Sequence, residues 1–207
     1  MKFSRTFGAV YDFVMVLLEE PWLKWRRKRL LTGITGKVLE VGVGTGTNLK
    51  FYSHQTEVTG IEPSPHMIKR ARKKRDLLHF PERINLHHTG CGFDDMDNLV
   101  APESLDAVVC TLVLCTVPDP ETSLCNFMKW LKPGGRLLVL EHIRSHNHSA
   151  GKLQDLLTPA WAKIAEGCQL NRPTDKLILQ TGFQLLREEH FKIGMPFYEA
   201  EYRKPDS

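Results

Sequence analysis

From residue 37 to residue 141, short apolar runs alternate with helical stretches, and this alternation limits the fold more than any other feature. Apolar runs of strand length occupy 37–41, 57–61, 84–88, 105–112 and 136–141. Helical spacing fills 47–52, 64–78 and 121–131, and a Lys-Pro-Gly-Gly turn precedes the fifth run. Apolar strands separated by helices pair in parallel and need both faces of the sheet covered. The C-terminal part behaves differently. After helices at 151–165 and 176–181, two strands at 183–192 and 197–203 are joined around Ile-Gly-Met-Pro, a link short enough to force antiparallel pairing. The expected fold is α/β: a doubly wound, mostly parallel seven-stranded sheet that ends in an antiparallel hairpin.

The first 31 residues stand outside this alternation. Phe3, Phe7, Val10, Val14, Leu17 or Leu18, Trp22 and Trp25 recur at steps of three and four, and Pro21 interrupts or restarts the pattern. This reads as an amphipathic helical extension over 1–31, followed by one domain over 32–207. Its longest apolar run, 13–18, is far short of the roughly 20 residues that cross a bilayer.

Charge and cysteine content narrow the setting. Residues 1–75 hold 15 Lys/Arg against 6 Asp/Glu, and the remainder 13 against 18. The basic excess sits in Lys-Trp-Arg-Arg-Lys-Arg at 24–29 and Lys-Arg-Ala-Arg-Lys-Lys-Arg at 69–75, read first as solvated helix faces and second as a patch for an anionic surface. Five cysteines, without a Cys-x-x-Cys pair and mostly inside apolar runs, point to reduced thiols in a cytoplasmic setting. A monomer is expected, peripheral contact with a membrane surface being the alternative to a freely soluble one.

Val-Leu-Glu-Val-Gly-Val-Gly-Thr-Gly at 38–46 follows the first strand. In open parallel sheets such a turn is where ligands dock. Its glycines are Gly42, Gly44 and Gly46, with Thr47 where a dinucleotide site would continue its spacing. Glu40 before them is a poor neighbour for a pyrophosphate and a good one for a cation. S-adenosylmethionine carries a sulfonium and an ammonium and has no phosphate, so it suits both facts. Glu62 ends the second strand, where a carboxylate accepts hydrogen bonds from ribose hydroxyls.

With the stretches at 58–72, 105–121 and 131–142, this segment resembles the successive motifs of class I S-adenosylmethionine-dependent methyltransferases, whose fold is Rossmann-like. The resemblance implies that Glu40, Gly42, Gly44, Thr45 and Gly46 surround the methionine end of the cofactor. It implies Glu62 on the ribose, with Pro63 and Met67 beside the adenine, and Cys91, Gly92 and Phe93 where relatives often carry an acid for the adenine amine. Thr111 and Leu112 then close the cofactor side of the fourth strand tip.

Nucleobase methyltransferases commonly place Asn- or Asp-Pro-Pro-aromatic after the fourth strand; here Cys110-Thr111-Leu112-Val113 stands instead, which argues against a nucleic-acid partner. The strand tip offers no obvious acid or base, and a thiol, intrinsically very nucleophilic, needs the least help. The stretch at 153–172 resembles the membrane-associated alkyl-thiol S-methyltransferases, through Thr158-Pro159-Ala160-Trp161 and Gly167-Cys168-Gln169-Leu170. That resemblance implies methylation of a small thiol or hydrogen sulfide. Val10-Tyr11-Asp12 and the glycine turn also look like phospholipid N-methyltransferases and quinone-ring C-methyltransferases, in which Tyr11 would lie near the methionine moiety. A cofactor-binding regulatory protein without turnover is the remaining alternative.

His142 and Trp161 are the candidates for acceptor contact or catalysis. His142, His146 and His148 with Cys168 have the spacing of metal ligands, but a polar loop favours solvated histidines, and no metal is assigned. Cys110 and Cys115 are read as small core hydrophobes.

Overall fold

The computed structural model describes residues 23–92 and 96–206. Seven strands form one sheet: β1 (Gly36–Val41), β2 (Thr56–Ile61), β3 (Ile84–His87), β4 (Leu105–Thr111), β5 (Leu131–His142), β6 (Gln184–Ile193) and β7 (Met195–Arg203), in the order β3-β2-β1-β4-β5-β7-β6. The first five pair in parallel, and β7 pairs antiparallel with both β5 and β6. The expected doubly wound sheet with its closing hairpin is therefore the observed one. Strand order reverses between β1 and β4, which brings their C-terminal ends together as a crevice.

The two-residue period of the strands divides the core. Val38, Ala107, Val109, Leu138 and Leu140 point to one face and meet Leu30 and Leu31 of α1 (Lys24–Leu31). Leu39, Val41, Val108, Cys110, Leu137 and Val139 point to the other and meet Leu124, Phe127 and Trp130 of α4 (Pro120–Trp130). Between these lie α2 (Pro65–Arg75) and the short α3 (Met96–Leu99); α5 (His148–Ile164) and α6 (Thr174–Gln180) link β5 to the hairpin.

Three local expectations change. The helix expected over 47–52 is a single 3-10 turn, Leu49–Phe51, because β2 begins at Thr56 and leaves no length for an α-helix. The Lys-Pro-Gly-Gly turn lies within β5 as an excursion: Leu105 pairs with Leu131, and pairing resumes at Ala107 with Arg136. α5 starts three residues early, since the Asn147 side chain accepts a hydrogen bond from the Ala150 amide at 3.1 Å.

The basic run at 24–29 is not the solvated face expected. Arg26 pairs with Glu189 at 2.8 Å, Arg29 with the fully buried Glu199 at 2.8 Å, and Arg27 is itself buried. These pairs tie α1 to the hairpin. The second run keeps its solvated face, with Lys69, Arg70 and Lys73 exposed on α2. Charged side chains along the edge strand β6 discourage pairing with another chain. No described helix is long and apolar enough to cross a membrane.

Candidate active site

The glycine turn after β1 is held open by backbone conformation. Gly42 has φ +66°, and a Cβ there would stand 2.4 Å from Val113. Gly46 has φ +80° and lets the turn rest on α2, where a Cβ would meet the Ala71 backbone at 3.1 Å. A side chain at either position would fill the cradle, so this wall is bare backbone, as a ligand approached closely by amides requires.

The Glu62 carboxylate locks the turn to the tip of β2. It accepts hydrogen bonds from the Ser64 amide at 2.8 Å and the Gly44 amide at 3.0 Å. Burial raises its pKa, and the two amides oppose the rise. A carboxylate has about four lone-pair sites, so two remain for further donors. The residues therefore fit the adenosyl part of S-adenosylmethionine.

Beneath the turn lies a buried polar knot. Asn48 donates to Glu40 at 2.9 Å and to Thr111 at 3.0 Å, while Arg27 donates to Asn48 at 2.9 Å and to Thr111 at 2.7 Å. Burial pushes the Glu40 carboxyl up to about 7, against the opposing influence of Asn48, Tyr52 and Arg27. Its second oxygen, Oε2, has no hydrogen-bond partner among the described residues.

The other side of the crevice is assembled from separate segments. Leu112, at the tip of β4, takes φ +57°, a left-handed conformation that is strained for a leucine. The chain then turns so that the Val113 and Leu114 amides donate to Glu141 Oε1 at 2.7 and 2.8 Å. Glu141 is fully buried, which raises its pKa while the two amides lower it. Arg172 grips the same loop by donating to the carbonyls of Leu114 and Val117.

This folding places Cys115 beside His142 and Cys168. Their donor atoms all lie within 4.8 Å of one another, and His142 Nε2 is 3.2 Å from Cys168 Sγ. Cys115 and His142 are buried and Cys168 is half-buried. The Cys115 thiol, then His142 and Trp161, hold the Cys168 thiol far below the ordinary thiol range. The Trp161 indole N–H is buried outside hydrogen-bonding geometry, yet near enough to favour the Cys168 thiolate.

The structure thus brings Gly44 to Glu62, Glu40 to Thr111 through Asn48, and His142 to Trp161 through Cys168. Thr45 meets Lys74 at 3.3 Å on the rim. The Pro63 carbonyl lies 3.0 Å from His88 Nε2, and the Met67 amide bonds the Ser64 hydroxyl that caps α2. The Cys91 side chain turns into the core against Ser123 at 3.4 Å, leaving only backbone for a ligand, while Gly92 is exposed. Tyr11 and Phe93 lie outside the described residues. His146 pairs with Asp175 at 3.0 Å. Sequence reasoning missed Arg27, Asn48, Cys115, Glu141 and Arg172 as members of the site. Asn48 carried a readable signal, two residues beyond the last glycine; the others had none before the fold joined their segments.

The strand order, the bare glycine cradle and the acid at the tip of β2 define an S-adenosylmethionine-dependent methyltransferase domain, and a methyltransferase domain family matches residues 39–139. The fold agrees with solved structures: the N-methyltransferase NodS from Bradyrhizobium japonicum superposes with a TM-score of 0.64 at 18% identity, covering 90% of this chain and 98% of that one. More specifically, the chain belongs to the thiol S-methyltransferase family. Thiol S-methyltransferase TMT1A from Homo sapiens is 35% identical over 176 residues, which cover 79% of this chain and 67% of the relative. Phosphatidylethanolamine N-methyltransferase from Cereibacter sphaeroides is 32% identical over 137 residues, 65% of this chain and 64% of the relative. The chain spans about two thirds of the length of the curated relatives it matches.

Proposed function

We propose that this chain moves the methyl group of S-adenosylmethionine onto a small thiol, giving a methyl thioether and S-adenosylhomocysteine. The observation that carries this reading is the wall of the acceptor side: Cys115, His142, Cys168 and Trp161, with Glu141 sealed beneath them. This wall is soft and mostly apolar. Among the described residues it shows no exposed carboxylate to strip a proton from an ammonium, and it suits sulfur better than a charged amine. The bound cofactor supplies an electrophilic methyl. The chain's own residues supply position, which is the largest contribution available to such a transfer.

In this assignment Gly42, Gly44, Thr45 and Gly46 line the methionine end, with Glu40 acting from below by holding Asn48 and the tip of β4. Glu62 receives the ribose hydroxyls. Pro63, Met67 and the backbone of Cys91, Gly92 and Phe93 flank the adenine. Thr111 and Leu112 shape the passage to the acceptor, Tyr11 lies over the methionine moiety, and His142 and Trp161 meet the thiol. The chain works as a monomer in a reducing compartment, in keeping with its free cysteines.

A second reading, phospholipid N-methylation, draws on the phosphatidylethanolamine relative. Its sequence support was Val10-Tyr11-Asp12 and the glycine turn, with the basic run at 24–29 as a lipid-facing segment; the three arginines of that run pair with Glu189, Glu199, Asn48 and Thr111 instead. One competition assay decides between the two: labelled S-adenosylmethionine offered a panel of small thiols and phosphatidylethanolamine vesicles together. Label is expected on a thiol; label confined to lipid would overturn the proposal.

A further inference from the structure

A thiol is only a few per cent ionised at neutral pH, and methyl transfer needs the sulfur lone pair. The proposed function therefore leaves one question: what removes the proton? Glu141 cannot, because it is fully buried and one of its oxygens is committed to two backbone amides. Glu40 is bound beneath the glycine turn by Asn48. What faces the acceptor is a set of three soft donors.

Cys115, His142 and Cys168 come from the loop after β4, the end of β5 and the loop after α5. Each is fixed by backbone contacts elsewhere. The Gln169 amide donates to the Cys115 carbonyl at 2.9 Å, the Cys168 amide donates to the Ala165 carbonyl at 2.9 Å, and His142 is in register with Phe197 of β7. Zinc binds thiolate at about 2.3 Å and imidazole at about 2.0 Å, so tetrahedral ligands stand roughly 3.5–3.8 Å apart. The three donor atoms lie within 4.8 Å of one another, and His142 Nε2 stands 3.2 Å from Cys168 Sγ, so small side-chain adjustments complete the geometry. Two thiolates and an imidazole select a soft or borderline cation over magnesium or calcium. Two thiolate charges also cancel a dication, which makes an ion tolerable in a mostly buried site. Three protein ligands with a fourth position left to substrate is the pattern of a catalytic rather than a structural zinc site.

We propose that Cys115, His142 and Cys168 bind one zinc ion whose fourth position takes the acceptor thiol as its thiolate. This rests on the thiol reading and deepens it. On entry the thiol replaces water on the metal, its S–H bond breaks, a Zn–S bond forms, and the proton leaves with solvent; a thiol coordinated to a metal is deprotonated outright. A lone pair of the bound sulfur then attacks the cofactor methyl. The methyl–sulfonium bond breaks, and its electron pair stays on the sulfur of S-adenosylhomocysteine. The product is a neutral thioether, a far weaker ligand than a thiolate, so it leaves the metal.

Two neighbours fit this role. The Trp161 indole N–H stands near Cys168, and the Arg172 guanidinium carries positive charge beside both cysteines, so each supports thiolates there. His142 Nδ1 has no acceptor among the described residues. A missing partner of that kind lowers metal affinity by about 10–100-fold. The ion is therefore expected to come away with a chelator rather than stay locked in.

The test is metal analysis of the purified 207-residue chain, followed by cobalt substitution. About one zinc per chain is expected, falling below roughly a tenth in Cys168→Ser and His142→Asn, since metal affinity follows the ligand set. Cys125→Ser, which alters an exposed thiol of α4 outside the three, should keep the full metal content. Circular dichroism checks that the two ligand variants remain folded; they are preferred to Cys115→Ser because Cys115 lies in the packed interior. In the cobalt form, a sulfur-to-cobalt charge-transfer band is expected, and adding a small thiol should shift the visible bands. Undiminished thiol methylation after chelation, in a chain that holds no metal, would overturn the site and leave Cys168 and His142 as a hydrogen-bonded pair. A cobalt spectrum indifferent to thiols would overturn the role of the fourth position. Stoichiometric zinc with label appearing only on phospholipid would sink the thiol reading, and the substrate role with it, while the metal site stood.

Discussion

The two halves of the crevice are built on opposite plans. The cofactor half is backbone: three left-handed glycines, two amides on Glu62 and a strand tip held from below by Asn48. The acceptor half is side chains, with Cys115, His142, Cys168 and Trp161 meeting over a loop clamped by Glu141 and Arg172. A backbone site tolerates almost no change in shape but leaves its chemistry to the ligand. A side-chain site keeps its shape when one group is exchanged, and loses its chemistry. Substitutions on the two sides should therefore fail in different ways.

The largest effect is expected at the cradle. Gly42→Ala adds a methyl 2.4 Å from Val113 on a backbone with φ +66°. Left-handed strain of 1–2 kcal/mol plus overpacking of 1–3 kcal/mol gives a loss of about 4 kcal/mol, with cofactor binding largely abolished. Pairing it with Val113→Ala removes the methyl at 2.4 Å but keeps the Val113 Cβ at 2.9 Å, so it should recover only part of the overpacking share and leave the strain. Denaturant unfolding measures both, and full recovery by the double variant would show that backbone conformation was not the constraint.

Glu40 tests how the two halves are joined. Its folded pKa of about 7 lies above the ordinary 4.5, so the folded state binds the extra proton between those values. Stability then falls as pH rises through that window and levels off above it, by about 3 kcal/mol at most. Glu40→Gln keeps an acceptor for Asn48 and removes the titration, so the variant should be the more stable protein at pH 8 and nearly equal to the parent at pH 5. Thermal unfolding across that range checks the sign. A stability difference between parent and variant that does not change from pH 5 to pH 8 would mean that Glu40 is ionised throughout.

The contrast between the halves also explains what could be read from the chain. The sheet was legible because strand periodicity and the terminal hairpin are written in neighbouring residues. So was the spacing of the cradle, since Gly42, Gly44, Gly46 and Glu62 occupy one strand with the turn after it and the next strand end. The helix expected over 47–52 failed because local spacing does not say how soon β2 must begin. Cys115 looked like a core residue, and it is one by burial; only the fold reveals that Cys168 and His142 reach it. The inward turn of Arg26, Arg27 and Arg29 was hidden for the same reason, since Glu189, Glu199 and Asn48 approach from distant strands and turns.

Glu62→Gln separates cofactor binding from folding within the first half. One oxygen replaces two, so either the Gly44 or the Ser64 amide loses its acceptor, and the anion is lost to the ribose. A hydrogen bond to a charged group contributes about 2 kcal/mol, which is roughly thirtyfold in Kd. Calorimetric titration with S-adenosylmethionine should find that weakening with a smaller change in stability. Unchanged affinity would remove Glu62 from the ribose.

The smallest effect is expected on the rim of the second half. Leu156 is 75% exposed and Leu153 55% exposed on α5, the helix that leads into the Cys168 loop. A large apolar side chain in water contributes little to folding, so Leu156→Gln should move stability by no more than about 0.5 kcal/mol. It should also leave the Kd for S-adenosylmethionine unchanged, because the Leu156 side chain faces solvent. A stability loss of several times that size would mean that this face of α5 is covered in the folded protein. The side-chain half of the crevice would then have a further wall, contributed by α5.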